Sequence, residues 1–231
     1  MTGRKHPRGR MVVFGTVALL GCAGQPAPSA SPTPAVSAEA AAASLERGIA
    51  RAQADSARYP YTEADIHFMT GMISHHAQAI TMARLAESHG ARPAVVTLAG
   101  RVINAQRDEI ALMQNWLRDR RQPVPEPSPT GMTMVMNGIA HEMLMPGMLT
   151  AEQMRQLDAA RGADFDQLFL KLMIQHHNGA VVMVKELFDT YGAGQDQLVF
   201  KFASDVNIDQ TTEIARMEKM LISIIVERTS K

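Results

Sequence analysis

The sequence predicts an all-α fold in which two repeated helical hairpins pack into a four-helix bundle. Three observations predict it: one pattern of residues occurs twice at a shift of 101 positions, a second occurs twice at a shift of 104, and no stretch shows convincing strand alternation. The first pattern comprises Asp65, Phe68, Met72, Ile73, His75, His76, Ala79 and Met82, matched by Asp166, Phe169, Met173, Ile174, His176, His177, Ala180 and Met183. The second comprises Ala99, Val102, Gln106, Glu109, Ile110, Met113 and Leu117, matched by Ala203, Val206, Gln210, Glu213, Ile214, Met217 and Leu221. Stacking two hairpins is a common way to bury their apolar faces.

Helix start and stop signals divide the chain into elements. Thr62 suits the N-cap of a helix that stops at Gly90, and Pro93 suits the first turn of the next helix. The predicted helices are a lead helix at 38–58, then 63–89, 93–121, a short helix from Thr150 to 161, 164–191 and 196–228. These elements form repeat one (61–121), a Met-rich connector (122–161) that is irregular at 131–149, and repeat two (162–228). Whether the lead helix packs on the bundle or extends the tether before it is open.

The first 37 residues predict export and a lipid anchor. Residues 1–21 combine a basic start with a short apolar stretch, and Leu19-Leu20-Gly21-Cys22 resembles a bacterial lipobox. Cys22 is the only cysteine, so it is the predicted lipidation site and the folded part has no disulfide. An ordinary secretory signal is the alternative. Residues 22–37 are mostly Ala, Pro and Ser, which predicts a tether before a helical domain at 38–231.

Charge excludes one class of partner. The chain has 23 basic and 23 acidic residues, and removal of the four basic residues of the signal leaves a net charge of about −4. No basic patch is rich enough to indicate nucleic-acid binding. The expected partners are metal ions, the membrane through Cys22, and a protein that accepts the metal.

Polar residues occupy the predicted apolar faces of all four long helices. They are His75, His176, Gln106, Glu109, Gln210 and Glu213. A buried Glu or unpaired His is costly unless it is paired or coordinated. Antiparallel hairpins bring His75 level with Gln106 and Glu109, and His176 level with Gln210 and Glu213.

This polar layer predicts a metal site with His75, His76, His176, His177, Glu109 and Glu213 as candidate ligands. His76 and His177 are turned about 100° from the core stripe, so they complete the site or reach a neighbouring helix. The alternative is a metal-free layer in which His75 hydrogen-bonds Glu109 and His176 hydrogen-bonds Glu213.

The connector is rich in thioethers. The chain has 17 Met, and Met132, Met134, Met136, Met143, Met145, Met148 and Met154 crowd around His141. Thioether sulfur selects Cu(I), and imidazole serves copper in both oxidation states. His141, Met143, Met145 and Met148 are therefore candidate copper ligands. Met72 and Met173 are further candidates, although a Met stripe, with Met82 and Met183, serves mainly in packing. An apolar flap over the bundle is the alternative for the connector.

The doubled motif Phe-x-x-x-Met-Ile-x-His-His-x-x-Ala-x-x-Met, at 68–82 and 169–183, resembles a bacterial family known as domain of unknown function 305. Met145-Pro146-Gly147-Met148, with Met154, Gly162, Phe165 and Asp166, is similar to the stretch before its second His-His helix. The resemblance covers about 61–221. It implies a ferritin-like helical bundle, exported and often lipid-anchored. The family includes periplasmic copper-binding proteins of the CopM type, which implies copper binding through Met and His. The core stripes lack the Glu-x-x-His pairs of di-iron oxidases, which argues against oxygen activation.

Three functions are therefore open. The favoured one is a non-enzymatic lipoprotein, facing the periplasm or cell exterior, that sequesters or transfers copper as Cu(I) or Cu(II). The second is a dinuclear His/Glu metalloenzyme with redox chemistry, which would use another transition metal. The third is a metal-free structural or interaction module.

Overall fold

The computed structural model describes residues 38–136 and 139–230, apart from the side chains of 134–140. Its elements are α1 (Ala38–Arg58), α2 (Glu63–Ser88), α3 (Pro93–Asp119), β1 (Met132–Met136), β2 (Ile139–Met143), α4 (Ala151–Ala159), α5 (Gly162–Asp189) and α6 (Gln197–Thr229). No described helix is both long and apolar enough to cross a bilayer. The predicted signal, Cys22 and the 22–37 tether lie outside the described residues.

The long helices form the two predicted hairpins. α2 packs along α3, α5 packs along α6, and α2 packs against α5 to join the repeats. The stripe residues are buried as predicted, with Phe68, Met72, Phe169 and Met173 at most 3% exposed. Each such side chain contributes roughly 1.5–3 kcal/mol by leaving water. The predicted all-α bundle of two repeated hairpins is confirmed.

Helix ends follow the sequence signals closely. Thr62 forms a capping box with Asp65, Pro93 opens α3, and Thr150 forms a capping box with Gln153. Most predicted bounds are displaced by one or two residues. The short helix ends at Ala159 rather than 161, because Ala160 is extended.

The prediction that the connector lacks strands is wrong. Met132–Met136 and Ile139–Met143 pair as an antiparallel ladder, in which Met132 lies opposite Met143 and Met134 opposite His141. The stretch Met-Thr-Met-Val-Met alternates with the two-residue period of a strand. Methionine occupies the alternate positions and is not among the residues enriched in strands, so the strand signal of this stretch is weak.

The lead helix packs on the bundle, which answers the question that the sequence leaves open. Ile49 and Ala52 of α1 are buried, and α1 contacts α3. Gly48 permits the contact, since a Cβ there would lie 2.5 Å from Asp119 Oδ1.

Two equivalent aspartates cross-link the repeats. Asp65 Oδ1 accepts a hydrogen bond of 2.7 Å from the Gly194 N–H, in the turn between α5 and α6. Asp166 Oδ1 accepts one of 3.1 Å from the Arg92 N–H, just before α3, and its Oδ2 pairs with Arg92 Nε at 3.0 Å. Each repeat therefore satisfies a backbone donor in the turn of the other repeat.

Replacement of Asp65 by Ala should lower the free energy of unfolding by about 2–3 kcal/mol, because the buried Gly194 N–H loses its acceptor and α2 loses its capping box. Denaturant titration measures the change. Glu63→Ala, in the same turn but exposed, is the control and should change stability by less than about 0.5 kcal/mol. An equally small effect at Asp65 would contradict the cross-link.

Candidate metal centre

His75 of α2 and His176 of α5 meet at the contact between the repeats. Their ring centroids lie 3.8 Å apart with the planes tilted by 38°, and both side chains are buried. Burial, and then the neighbouring imidazoles of His76 and His177, hold the pKa of His75 well below its usual range. Burial also lowers the pKa of His176, followed by His75, His177 and His76. Both rings are therefore neutral near pH 7 and offer lone pairs.

Most of these ring nitrogens have no hydrogen-bond partner within residues 38–136 and 139–230. His75 Nε2 lies 3.1 Å from the Pro146 carbonyl, which can only accept, so Nε2 carries the proton and Nδ1 has a free lone pair. His75 Nδ1 and both ring nitrogens of His176 are buried without a partner among the described residues. An unsatisfied buried polar group costs roughly 1–3 kcal/mol, which a bound metal ion would offset.

The carboxylates pair with the second histidine of each motif, not the first. His76 Nε2 lies 2.6 Å from Glu109 Oε2, and His177 Nε2 lies 2.7 Å from Glu213 Oε2. The pairs expected of the metal-free alternative, His75 with Glu109 and His176 with Glu213, are therefore wrong by one residue. One residue turns the side chain by about 100°, so His75 and His176 face the other repeat while His76 and His177 face their own hairpin.

The two pairs differ in alignment. His177 and Glu213 form a hydrogen bond, whereas the His76 Nε2 and Glu109 Oε2 atoms touch without hydrogen-bond geometry. Both carboxylates are partly exposed, with 21% and 23% of their side chains accessible. This flank is therefore reachable from solvent, unlike the central imidazoles.

Further polar groups lie on the α3 and α6 side. Gln106 and Gln210 are buried, as the stripe predicts, and amide atoms of both have no hydrogen-bond partner in the described part of the chain. Asp209 is exposed, but partial loss of solvent, followed by the nearby charges of Glu109, Asp205 and Glu213, raises the pKa of its carboxyl. Sequence reasoning missed Asp209. The spacing of Asp205, Asp209 and Glu213 by four residues, which places them on one face of α6, could have indicated it.

The connector is seated on the histidine layer by two residues that differ between the repeats. Gln78 accepts from the Leu149 N–H at 2.6 Å and donates to the Leu149 carbonyl at 3.0 Å. Gly179, at the equivalent position of repeat two, leaves the space that Pro146 and Gly147 fill. A Cβ on Gly179 would collide with the Pro146 carbonyl, the group that binds His75. Sequence reasoning missed both positions.

The predicted thioether and imidazole ligands divide into two groups. Met72, Met173, Met145 and Met148 are buried, and Met148 Sδ accepts from the Met145 N–H at 3.3 Å. His141 and Met143 lie at the surface of β2, where Met143 is 40% exposed. The structure therefore does not gather all the candidates around one point.

Among the described residues, no three His, Cys, Asp or Glu side chains converge closely enough to hold one ion. The donors that do lie free at the centre are imidazole nitrogens, with buried thioethers in the surrounding core. Such a set suits a soft ion of low coordination number, because thioether and imidazole both bind Cu(I).

The family model for domain of unknown function DUF305 matches residues 65–221. The chain belongs to this family. It is 27% identical to a DUF305 protein from Streptomyces coelicolor whose description suggests secretion, with a TM-score of 0.58 over 70% of this chain and 93% of that one. A DUF305 fragment from Deinococcus radiodurans is also 27% identical, with a TM-score of 0.57 over 70% and 97% of the two chains.

The DUF305 chain is also similar to CopM. The Cu(I)-bound form of CopM is 27% identical, with a TM-score of 0.52 over 69% of this chain and 96% of that one. CopM has also been solved in Cu(II)-bound and Ag-bound forms. No curated protein sequence matches the chain.

Acidification should destabilise the metal-free protein below about pH 6.5, the ordinary histidine pKa. Because the folded state lowers the pKa of His75 and His176, the unfolded chain binds more protons there, and stability present above that pH is lost as pH falls. Each histidine contributes up to about 1.4 kcal/mol per pH unit. Denaturant titrations at pH 5, 6, 7 and 8 in chelator check this slope. It should become shallower in His75→Leu/His176→Leu, and an unchanged slope would contradict the assignment.

Replacement of Gly179 by Ala should displace the connector, because the new methyl group overlaps the Pro146 carbonyl. Overpacking of this kind costs about 1–3 kcal/mol. Hydrogen exchange of residues 145–149 and denaturant titration measure the effect. Gly100→Ala is the matched control, since nothing lies within 4 Å of its Cβ position, and it should be neutral or slightly stabilising. If the amide hydrogens of residues 145–149 exchanged as slowly as in the wild type, the close packing of the connector against Gly179 would be refuted.

Proposed function

We propose that this DUF305 protein is a non-enzymatic, extracytoplasmic copper-binding lipoprotein. It sequesters copper or passes it to an acceptor protein, and Cys22 anchors it to the membrane. Copper is the cargo, held as Cu(I) or Cu(II) by histidine and methionine.

One observation carries the proposal: His75 and His176 meet ring to ring at the centre of the bundle, and three of their four ring nitrogens have no partner among the residues that the structure describes. A layer selected for stability would pair these atoms or replace them with apolar groups. Neutral imidazoles with buried lone pairs are metal donors that need no proton release.

The other candidates take roles that follow from their positions. His76 and His177 face carboxylates, so Glu109 and Glu213 orient these rings and supply negative charge toward Cu(II). Met72, Met173, Met145 and Met148 provide thioethers in the surrounding core. His141 and Met143, exposed on β2, capture copper from solution.

The likeness to CopM supports the choice of metal. CopM in Cu(I)-, Cu(II)- and Ag-bound forms shares 26–27% identity with this chain across most of its own length. Thioether-rich and imidazole-rich donors match that range of ions, since silver resembles Cu(I).

A second candidate function is a redox metalloenzyme centred on the carboxylates. The partly exposed carboxylates of Glu109 and Glu213, each against a buried imidazole, favour it, because oxygen donors suit iron or manganese. This reading requires metal that depends on Glu109 and Glu213 rather than on His75 and His176.

His75→Leu/His176→Leu should lose the copper held at the centre of the bundle, which lowers the copper stoichiometry, with little loss of stability. Leu removes three ring nitrogens that have no partner among the described residues, whereas the Pro146 carbonyl loses its His75 donor. Competition titration of the full-length chain with a Cu(I) chelator, and with a Cu(II) chelator in air, measures affinity, and elemental analysis measures stoichiometry. The matched control is His89→Leu, a buried histidine bonded to Asp158, which should reduce stability and keep copper.

Other outcomes have distinct meanings. Iron or manganese that is lost on replacing Glu109 and Glu213 by Gln would move the enzyme to first place. Absence of tight metal in both oxidation states would refute the proposal and leave a structural polar layer.

A further inference from the structure

A cleft opens between α2 and α5 beside the connector. It has a volume of about 100 Å³, and its lining includes His67, Met145, Pro146, Met183 and Glu186. His67 and Glu186 are exposed, whereas Met145 and Met183 are each 5% exposed. The cleft therefore places an imidazole and a carboxylate toward solvent and two thioethers farther in.

The side chains of Met145 and Met183 both approach Gly71. A Cβ on Gly71 would lie 2.8 Å from Met145 Sδ and 3.4 Å from Met183 Cε, so the missing side chain provides the space that both methionines share. Leu172 stands at the equivalent position of repeat two. The two repeats therefore differ at this position, and the glycine of repeat one lies where Met145 of the connector packs.

We infer that this cleft is a second soft-cation site, in which Met145, Met183 and His67 take up Cu(I) or Ag(I) from solution before it reaches the buried histidines. The inference rests on the proposed function and deepens it. The donor set is two thioethers and one imidazole, which favours soft monovalent ions over hard cations. Glu186 adds negative charge that attracts cations.

The cleft adjoins the central histidines through one residue. Pro146 lines the cleft, and its carbonyl accepts the hydrogen bond from His75 Nε2. An ion bound to Met145 therefore lies next to Pro146, the residue whose carbonyl accepts the hydrogen bond from His75. Transfer to His75 Nδ1 exchanges thioether donors for an imidazole donor, with no change in oxidation state and no proton released, because Nδ1 already carries a lone pair.

Sequence reasoning assigned Met183 mainly to packing and did not single out His67. Nothing in the stripe distinguishes Met183 from Met82, its equivalent in repeat one. The distinction arises because the connector, present once in the chain, places Met145 against Gly71.

The test is Ag(I) titration of the full-length chain in detergent, with ¹³C-methyl-methionine labelling and anaerobic Cu(I) titration in parallel. We expect the first additions of silver to shift the methyl signals of Met145 and Met183. Met183→Leu, which conserves volume, should bind one silver ion fewer per chain. It should also weaken Cu(I) uptake at the cleft by at least about tenfold. His67→Gln should weaken it in the same direction.

Two controls separate donor chemistry from packing. Met220→Leu, a half-buried methionine on α6, and Thr190→Val, a lining residue with a hard donor, should leave silver stoichiometry unchanged. In His75→Leu/His176→Leu, the methyl shifts of Met145 and Met183 should persist, because the cleft fills without the central pair.

Failure of the inference and failure of the proposed function give different results. Silver or copper that perturbs the central histidines while both methyl signals stay fixed would overturn the cleft and keep the function. Full silver stoichiometry in Met183→Leu would likewise overturn it. Binding at the cleft with no response of His75 and His176 would support the cleft and overturn the central site. No silver or copper binding by the wild type would overturn both.

Discussion

The contact between His75 and His176 is the constraint on which the rest of the structure depends. It lies where α2 meets α5, so the distance between the two repeats here is set by two neutral rings in contact. Their unpartnered nitrogens oppose folding, by roughly 1–3 kcal/mol for each group. The aspartate cross-links and the apolar stripes above and below the layer offset that cost. Such local conflict with stability is typical of functional sites.

The layer has two chemically different flanks. Toward α3 and α6 lie carboxylates and amides, including Glu109, Asp209 and Glu213. Toward the connector lie the thioethers of Met145 and Met183. Oxygen donors favour harder ions and thioethers favour softer ones, so the imidazoles stand between environments suited to different oxidation states of one metal.

The repeat made much of this predictable. Identities at fixed shifts established two hairpins, and hairpin arithmetic placed His75 level with Glu109 and His176 level with Glu213. The arithmetic fixes height along a helix but not direction around it, and so the pairs expected of a metal-free layer joined the carboxylates to the wrong histidine of each motif. The strands were not predicted because methionine is not among the residues that are enriched in strands. The position of the connector depends on Gly71, Gln78 and Gly179, where the two repeats differ. The role of these differences can be recognised only when the segment that packs against them is known.

The connector would affect the residence time of a bound ion in addition to its affinity. Residues 145–149 are fastened by Gln78, by the space at Gly179 and by His75 itself. An ion beneath this segment would escape only when the segment lifts. Its residence would then follow the frequency of a local opening, which differs between parts of one protein and can be far slower than exchange at an exposed ligand. A carrier with such a segment would retain its bound ion during non-specific collisions. It would release the ion when a binding partner stabilises the open position of residues 145–149.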